Sequence, residues 1–441
     1  MGVAHSPDLP YNNGNLKNPE QVVTRWKKPD HKAETEEDNV ENLIYLDNAA
    51  TSWPKPDSVY DYMVDFYRKT GVNPGRSGFD KAIEAGNLLE DLRARLTKFF
   101  GGDTDTPERL CFSYNATDSL NLILQGLLAS GDHVITTNVE HNSVIRPVNH
   151  LVRDNGVEVT YVPFNDQGFV EPDDIKAAIK PNTRLVIVNH ASNVIGTVQP
   201  VAEIGAICQE KGVTFAIDAS QTAGVVPIDM KAMNVDVLAF TGHKSLLGST
   251  GIGGLCVRKH LDIRHSRSGG TGVRSAFPYH LDEYPFRMEY GTPNIVGIAS
   301  LWAGQDWIEA NGNIDRILSH EMKLARKLVD GLKNIDGVTT YCCESLDNHL
   351  ATVCINVDDL EAGDVGIMLD VDFNIATRTG LHCAPLVHKQ LGLVGIHGGV
   401  RFSIGPFNTE EHMTASIDAI AEIAERAKKM KNSSRRATAK Q

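Results

Sequence analysis

Seven short apolar runs alternate with amphipathic segments between Arg109 and Val257, and no other feature limits the fold as much. The runs are Arg109–Phe112, His133–Thr136, Val157–Val162, Leu185–Val188, Thr214–Ile217, Val235–Ala239 and Gly254–Val257. Each is short and mainly apolar, as in a strand of a covered sheet. Segments of helical period such as "PDDIKAAIK" and "VAEIGAICQEKG" lie between several of them. Apolar strands joined by helices predict parallel pairing in a doubly covered α/β sheet. Near Gly291–Asn294 the pattern changes. A long helical stretch, "NIDRILSHEMKLARKLVDGLKNI", is followed by strand-like "TTYCCES" and "ATVCINV" and a terminal helix, "TASIDAIAEIAERAKKM". This predicts a large sheet domain over 58–294 and a smaller α+β domain over 295–430, with segment 43–57 associated with the smaller one. Residues 1–42 are polar, with a charge run, and are expected to form a poorly ordered extension. Residues 431–441 read as a basic, solvated tail.

Composition excludes several classes. Hydrophobic content of 41% and charged content of 22% are ordinary for a globular chain. No apolar run reaches the roughly 18 residues of a membrane helix. A net charge of −13 argues against nucleic acid as a partner. The start of the chain lacks a secretory pattern, and Gly2 with Ser6 fits only a short, common acylation motif. The seven cysteines have no repeated spacing and no Cys-x-x-Cys pair, so neither a disulfide framework nor a metal site is expected. A cytoplasmic location follows as the default expectation.

In an open parallel sheet, ligands gather beyond the carboxyl ends of the strands. Polar residues fall there repeatedly: Glu140 and His141, Asn189 to Asn193, Asp218 and Gln221, and Thr241, His243 and Lys244. The turn Asn115–Thr117 leads from a strand into a helix, whose N-terminus can seat an anion. Nucleotide readings fail on order. A P-loop needs Gly-Lys-Ser/Thr, whereas this chain has Gly242-His243-Lys244, and "GSTGIGG" precedes a strand instead of following one. A cofactor with one phosphate, a ring that needs a carboxylate and a carbon that needs an amine remains. Pyridoxal phosphate (PLP) has all three.

The stretches "YLDNAATSWPKP", "EHNSVIRP", "HASNVIGT", "IDASQTAG", "TGHKSLLGSTGIGGL", "EYGTPN", "RTGLHCAP" and "VRFSIGPFNT" resemble the cysteine desulfurase/selenocysteine lyase family, a class V branch of the fold-type I PLP enzymes. The resemblance spans about residues 43 to 425, and "RTGLHC" is similar to the family's group II. It implies a homodimer that converts L-cysteine to L-alanine and passes sulfur to an acceptor protein or a reductant. Selenocysteine lyase is the nearest alternative; a PLP aminotransferase or C–S lyase in which Cys383 is idle is the second.

Carried over by motif, the resemblance implies that Lys244 holds PLP covalently and moves protons, and that Asp218 pairs with the ring nitrogen. His141 stacks on the ring, and Gln221 meets its phenolic oxygen. Thr241, His243 and the amides of Ala116 and Thr117 hold the phosphate, with Thr292 reaching the phosphate of a second subunit. Asn193 and Arg401 bind the substrate carboxylate, with Arg378 nearby, and Cys383 takes the sulfur. Arg378, His382 and His388 are expected to surround Cys383 with positive charge that favours its thiolate. "YNATDS" departs from the Gly-Thr-Thr-Glu type of group II, which favours Thr117 over Asn115. "NPGRSGF" lacks a histidine found in some members, so Arg76 or Ser77 is expected near the substrate.

Overall fold

The computed structural model describes residues 43–74 and 78–438, with side chains through residue 432. The polar stretch 1–42, the pair Arg76 and Ser77, and the last residues of the basic tail lie outside the described residues. The strands, in chain order, are β1 (Ile44–Tyr45), β2 (Leu110–Ser113), β3 (His133–Thr137), β4 (Glu158–Val162), β5 (Thr183–Asn189), β6 (Thr214–Asp218), β7 (Val237–Thr241) and β8 (Gly253–Val257), followed by β9 (Val338–Tyr341), β10 (Thr352–Val357), β11 (Ile375–Ala376), β12 (Arg378–Gly380) and β13 (Gly399–Ser403).

β2 to β8 build a seven-stranded sheet in the order β2-β8-β7-β6-β5-β3-β4. All seven apolar runs are strands of it. Alternate residues serve opposite faces. Val186, Val188, Phe215 and Ile217 join a core under the helices Asp80–Phe99, Val201–Lys211 and Ile295–Ala310. Leu185, Ile187 and Ala216 join a second core under the helices Ala116–Leu127 and Asn142–Asn155. Both faces of the inner strands are therefore buried, which is why those strands read as nearly continuous apolar runs, whereas edge strand β4 is only partly covered. The sheet is mainly parallel, as expected, with β8 as the exception: it runs antiparallel to both β7 and β2. The link from β7 to β8 contains no crossover helix, and a parallel neighbour needs a crossover of a dozen or more residues.

The order of the sheet places β3 between β4 and β5, so the chain leaves β3 on one side and returns on the other. Such a reversal opens a crevice beyond the strand ends. Glu140 and His141 follow β3 there, and Asn189 closes β5.

The smaller sheet, β12-β13-β10-β9, is antiparallel throughout. The helices Asn313–Leu332, Ala362–Phe373 and Glu410–Thr438 supply its core. The last of these continues into the stretch expected to be a solvated tail. β1 pairs in parallel with β11, and Asp47 bridges Ser403 of β13. The described residues from Ile44 onward pack as one compact unit containing both sheets.

Candidate functional site

The site is assembled from strand ends. Asp218 ends β6 and is 2% exposed; its Oδ1 accepts from the Ser220 N–H at 2.9 Å and from the Ser220 hydroxyl. Lys244 follows β7 by three residues. Burial lowers its amine to about 8, with Asp218 opposing and Arg401 adding to the shift. Gly224 makes room for this loop. Its φ is +101°, and a Cβ there would lie 2.3 Å from the Ser245 carbonyl oxygen. Three donors from the segment after β1 also hold the loop. Ser52 Oγ donates to Lys244 O at 3.0 Å, Thr51 Oγ1 to His243 O at 3.1 Å, and Lys55 Nζ to His243 O at 3.0 Å.

His141 caps the helix Asn142–Asn155. Its Nδ1 accepts from the Ser143 N–H at 3.0 Å, with Ser143 Oγ 2.8 Å away. The proton of the neutral ring is thereby placed on Nε2. Burial, with Lys244 adding to it, lowers His141 to about 4, so it is neutral at pH 7. Glu140 is fully buried beside it. Its Oε1 accepts from Thr137 Oγ1 at 2.7 Å and from the Asn189 N–H at 2.9 Å. Burial, with the nearby Asp218 carboxyl adding to it, raises this carboxyl to about 8. Gln221 donates to Ala49 O at 3.0 Å, tying the turn after β6 to the segment after β1.

The loop carrying Cys383 meets this group from the smaller sheet. His382 and Cys383 both have left-handed backbones, with φ of +49° and +55°. Such a pair costs on the order of 1–3 kcal/mol per residue and persists only where neighbours hold it. Here Asn193 Nδ2 donates to His382 O and the Asn142 N–H to Cys383 O, both at 2.7 Å. Cys383 is the exposed one of the seven cysteines. Burial pushes Cys208, Cys256, Cys343 and Cys354 up to about 12 and Cys342 to about 11. Thr117, His141 and Cys383 line one cleft of about 1070 Å³.

The expectation of three cations around Cys383 is corrected. Burial lowers His382 to about 3 and His388 to about 4, so both are neutral at pH 7. They form a relay in which His388 Nε2 lies 3.1 Å from His382 Nδ1, and His382 Nε2 lies 3.1 Å from Arg378 O. Arg378 is exposed and pairs across the strands with Arg401. Arg401, 2% exposed, donates from Nη1 to Asn193 O at 2.9 Å and from Nη2 to Asp47 Oδ1. Thr292 stands apart. It is exposed and lines a separate pocket of about 490 Å³ with Tyr114, Asp118 and Tyr290.

The fit to a phosphate-bearing pyridine ring rests on unpartnered atoms. Thr241 Oγ1, His243 Nδ1, Asn193 Oδ1 and Arg401 Nε are buried without hydrogen-bond partners. Natural interiors rarely leave such atoms orphaned. The first two belong to the loop that carries Lys244. Asn115 caps the helix Ala116–Leu127 by accepting from the Asp118 N–H, and the amides of Ala116 and Thr117 open its first turn. These residues fit the group.

Asp47, Ser52 and Lys55 were not picked out as site residues from the sequence. The stretch "YLDNAATSWPKP" contains all three, but nothing in its spacing places it against a loop nearly two hundred residues later. The proton on Glu140 was equally hidden, since it depends on burial that composition does not reveal.

A family model described as aminotransferase class-V matches residues 44–415. A protein of Methanothermobacter thermautotrophicus named "Probable cysteine desulfurase" is 34% identical over 386 residues, covering 86% of this chain and 94% of that protein. A "Cysteine desulfurase" of Haloferax volcanii is 31% identical over 393 residues, covering 87% and 90%. The solved cysteine desulfurase of Thermococcus onnurineus NA1 superimposes with a TM-score of 0.81 at 34% identity, covering 88% of this chain and 98% of that one. With the mostly parallel sheet and the lysine, aspartate and histidine at its strand ends, these matches place the chain in the class V aminotransferase family, among proteins named cysteine desulfurases.

Proposed function

We propose that the protein is a PLP-dependent cysteine desulfurase that converts L-cysteine to L-alanine, with sulfur transferred onto Cys383. One observation carries this reading. The exposed cysteine sits on a strained loop whose two carbonyls are held by Asn193 and Asn142, neighbours of the strand ends that present Lys244, Asp218 and His141.

When bound, PLP supplies an electron sink that acidifies the α-carbon of an amino acid. Lys244 would hold it, Asp218 would keep its ring nitrogen protonated, and Gln221 would meet its phenolic oxygen. Thr241, His243 and the amides of Ala116 and Thr117 would take its phosphate. An amine lowered to about 8 can give and take a proton near neutral pH, which suits Lys244 to carry the α-proton. His141, neutral and fixed by Ser143, presents an Nε2–H to the same space. Arg401 and Asn193 would orient the substrate carboxylate. The Cys383 thiolate then attacks the substrate sulfur: the S–S bond forms as the C–S bond breaks, and its electron pair stays with the carbon. An acceptor protein or a reductant removes the sulfur.

A homodimer belongs to this reading, with Thr292 completing the partner's phosphate seat. Its support is that exposed Tyr114 and Val273 line the pocket together with Thr292. Among the described residues, no helix is long and apolar enough to cross a membrane.

Product analysis tests the reading. The purified protein, supplied with PLP, is expected to release L-alanine from L-cysteine. Pyruvate and ammonia would instead indicate a C–S lyase. Turnover of selenocysteine with none of cysteine would indicate a selenocysteine lyase.

A further inference from the structure

Arg401 stands in the site already engaged. The guanidinium is 2% exposed; Nη2 pairs with Asp47 Oδ1, Nη1 with Asn193 O, and Nε is buried without a partner. Asp47 is fixed in this position by its backbone. Its carbonyl accepts from the Ala50 N–H at 3.0 Å and from Tyr45 OH at 3.1 Å, and it bridges Ser403 on the strand that carries Arg401. A carboxylate of the chain therefore holds one arm of the fork, and Nε is left as a buried donor without a partner in the chain.

We propose that Asp47 is a positioning residue that acts as a built-in counter-anion, limiting how tightly Arg401 holds an incoming carboxylate. The proposal rests on reading Arg401 as the clamp for the substrate carboxylate. A buried guanidinium without a counter-charge would attract any carboxylate strongly. Substrate cysteine and product alanine carry the same α-carboxylate, so extra affinity at this point stabilises both alike. Such uniform binding lowers KM without speeding the chemical step, and it retains product. Asp47 shares the charge of Arg401 and leaves Nε as the donor without a partner in the chain.

Replacement of Asp47 by Asn keeps an oxygen that accepts from Nη2 and removes the charge. In the D47N holoenzyme the KM for L-cysteine and the inhibition constant of L-alanine should fall together, by about fivefold. Propionate, a carboxylate without an amine, should compete more strongly by a similar factor. A merely structural role for Asp47 would lower Tm and leave these constants unchanged or raised. Asp47→Ser, also neutral, should shift them in the same direction and serves if D47N does not fold. Arg401→Lys separates the two claims. If R401K raises KM while D47N and D47S leave all three constants unchanged or higher, the counter-anion is overturned and the clamp stands. If R401K leaves KM unchanged, the clamp reading fails and takes the counter-anion with it.

Discussion

Glu140 follows β3 as a carboxyl group enclosed by the fold, on the same sheet edge as Asp218 at the end of β6. Glu140 is sealed from water, and burial raises it to about 8, so it holds a proton at pH 7. The linkage has a definite sign. In the unfolded chain Glu140 releases its proton near the ordinary carboxylate value of 4.5, whereas in the folded chain it keeps that proton up to about 8. The folded state therefore binds more protons across that window, and the contribution of Glu140 to stability falls as pH rises from about 4.5 to 8. Glu140→Gln carries no such proton. The Tm of E140Q relative to wild type should climb steadily between pH 5 and 8; a difference independent of pH would mean that Glu140 is ionised in the fold. The sequence put Glu140 at the right strand end but could not show its charge state, because desolvation depends on the helices packed over it.

Short turns that carry function are held by chain segments remote in sequence. The Lys244 loop rests on Gly224 from one side and on Thr51, Ser52 and Lys55 from the other. Gly224→Ala would face a Cβ contact of 2.3 Å with Ser245 O at a φ of +101°. Relief requires movement of the loop, at a cost of about 2 kcal/mol or more. G224A should show a lower Tm and weaker PLP retention on dialysis; a wild-type Tm with full retention would show that the loop yields freely. The loop of Cys383 follows the same plan, with Asn193 and Asn142 as its holders. The sequence pointed to "RTGLHC" correctly as an unusual setting for a cysteine. It misassigned the charge of His382 and His388, because side chains expected near the surface are buried in a neutral relay beneath Arg378.

Over the whole chain, periodicity was legible and connection geometry was not. The seven apolar runs are all strands, and where both faces of the sheet are covered, as in the inner strands, nearly every residue of the run carries the signal. The reversal of β8 left none, since strand direction is set by the absence of a crossover helix in the preceding turn. The pocket lined by Thr292 with exposed Tyr114 and Val273 is a property of the same scale. If it is the seat of a second copy, sedimentation should give a dimer at micromolar concentration, and Tyr114→Asp with Val273→Asp should yield a monomer that loses PLP. A wild-type monomer that retains PLP would remove this idea.

The central claim is that sulfur leaves cysteine onto Cys383, and mass spectrometry of the cysteine-treated holoenzyme tests it most directly. The account predicts one added sulfur on the peptide carrying Cys383, removed by a thiol reductant, and L-alanine formed in equal amount. The other six cysteines should stay unmodified, since five are buried and burial lifts the thiol of half-buried Cys342 to about 11. Sulfur found on Cys342 or Cys343, or full alanine production by a Cys383→Ser variant, would contradict it.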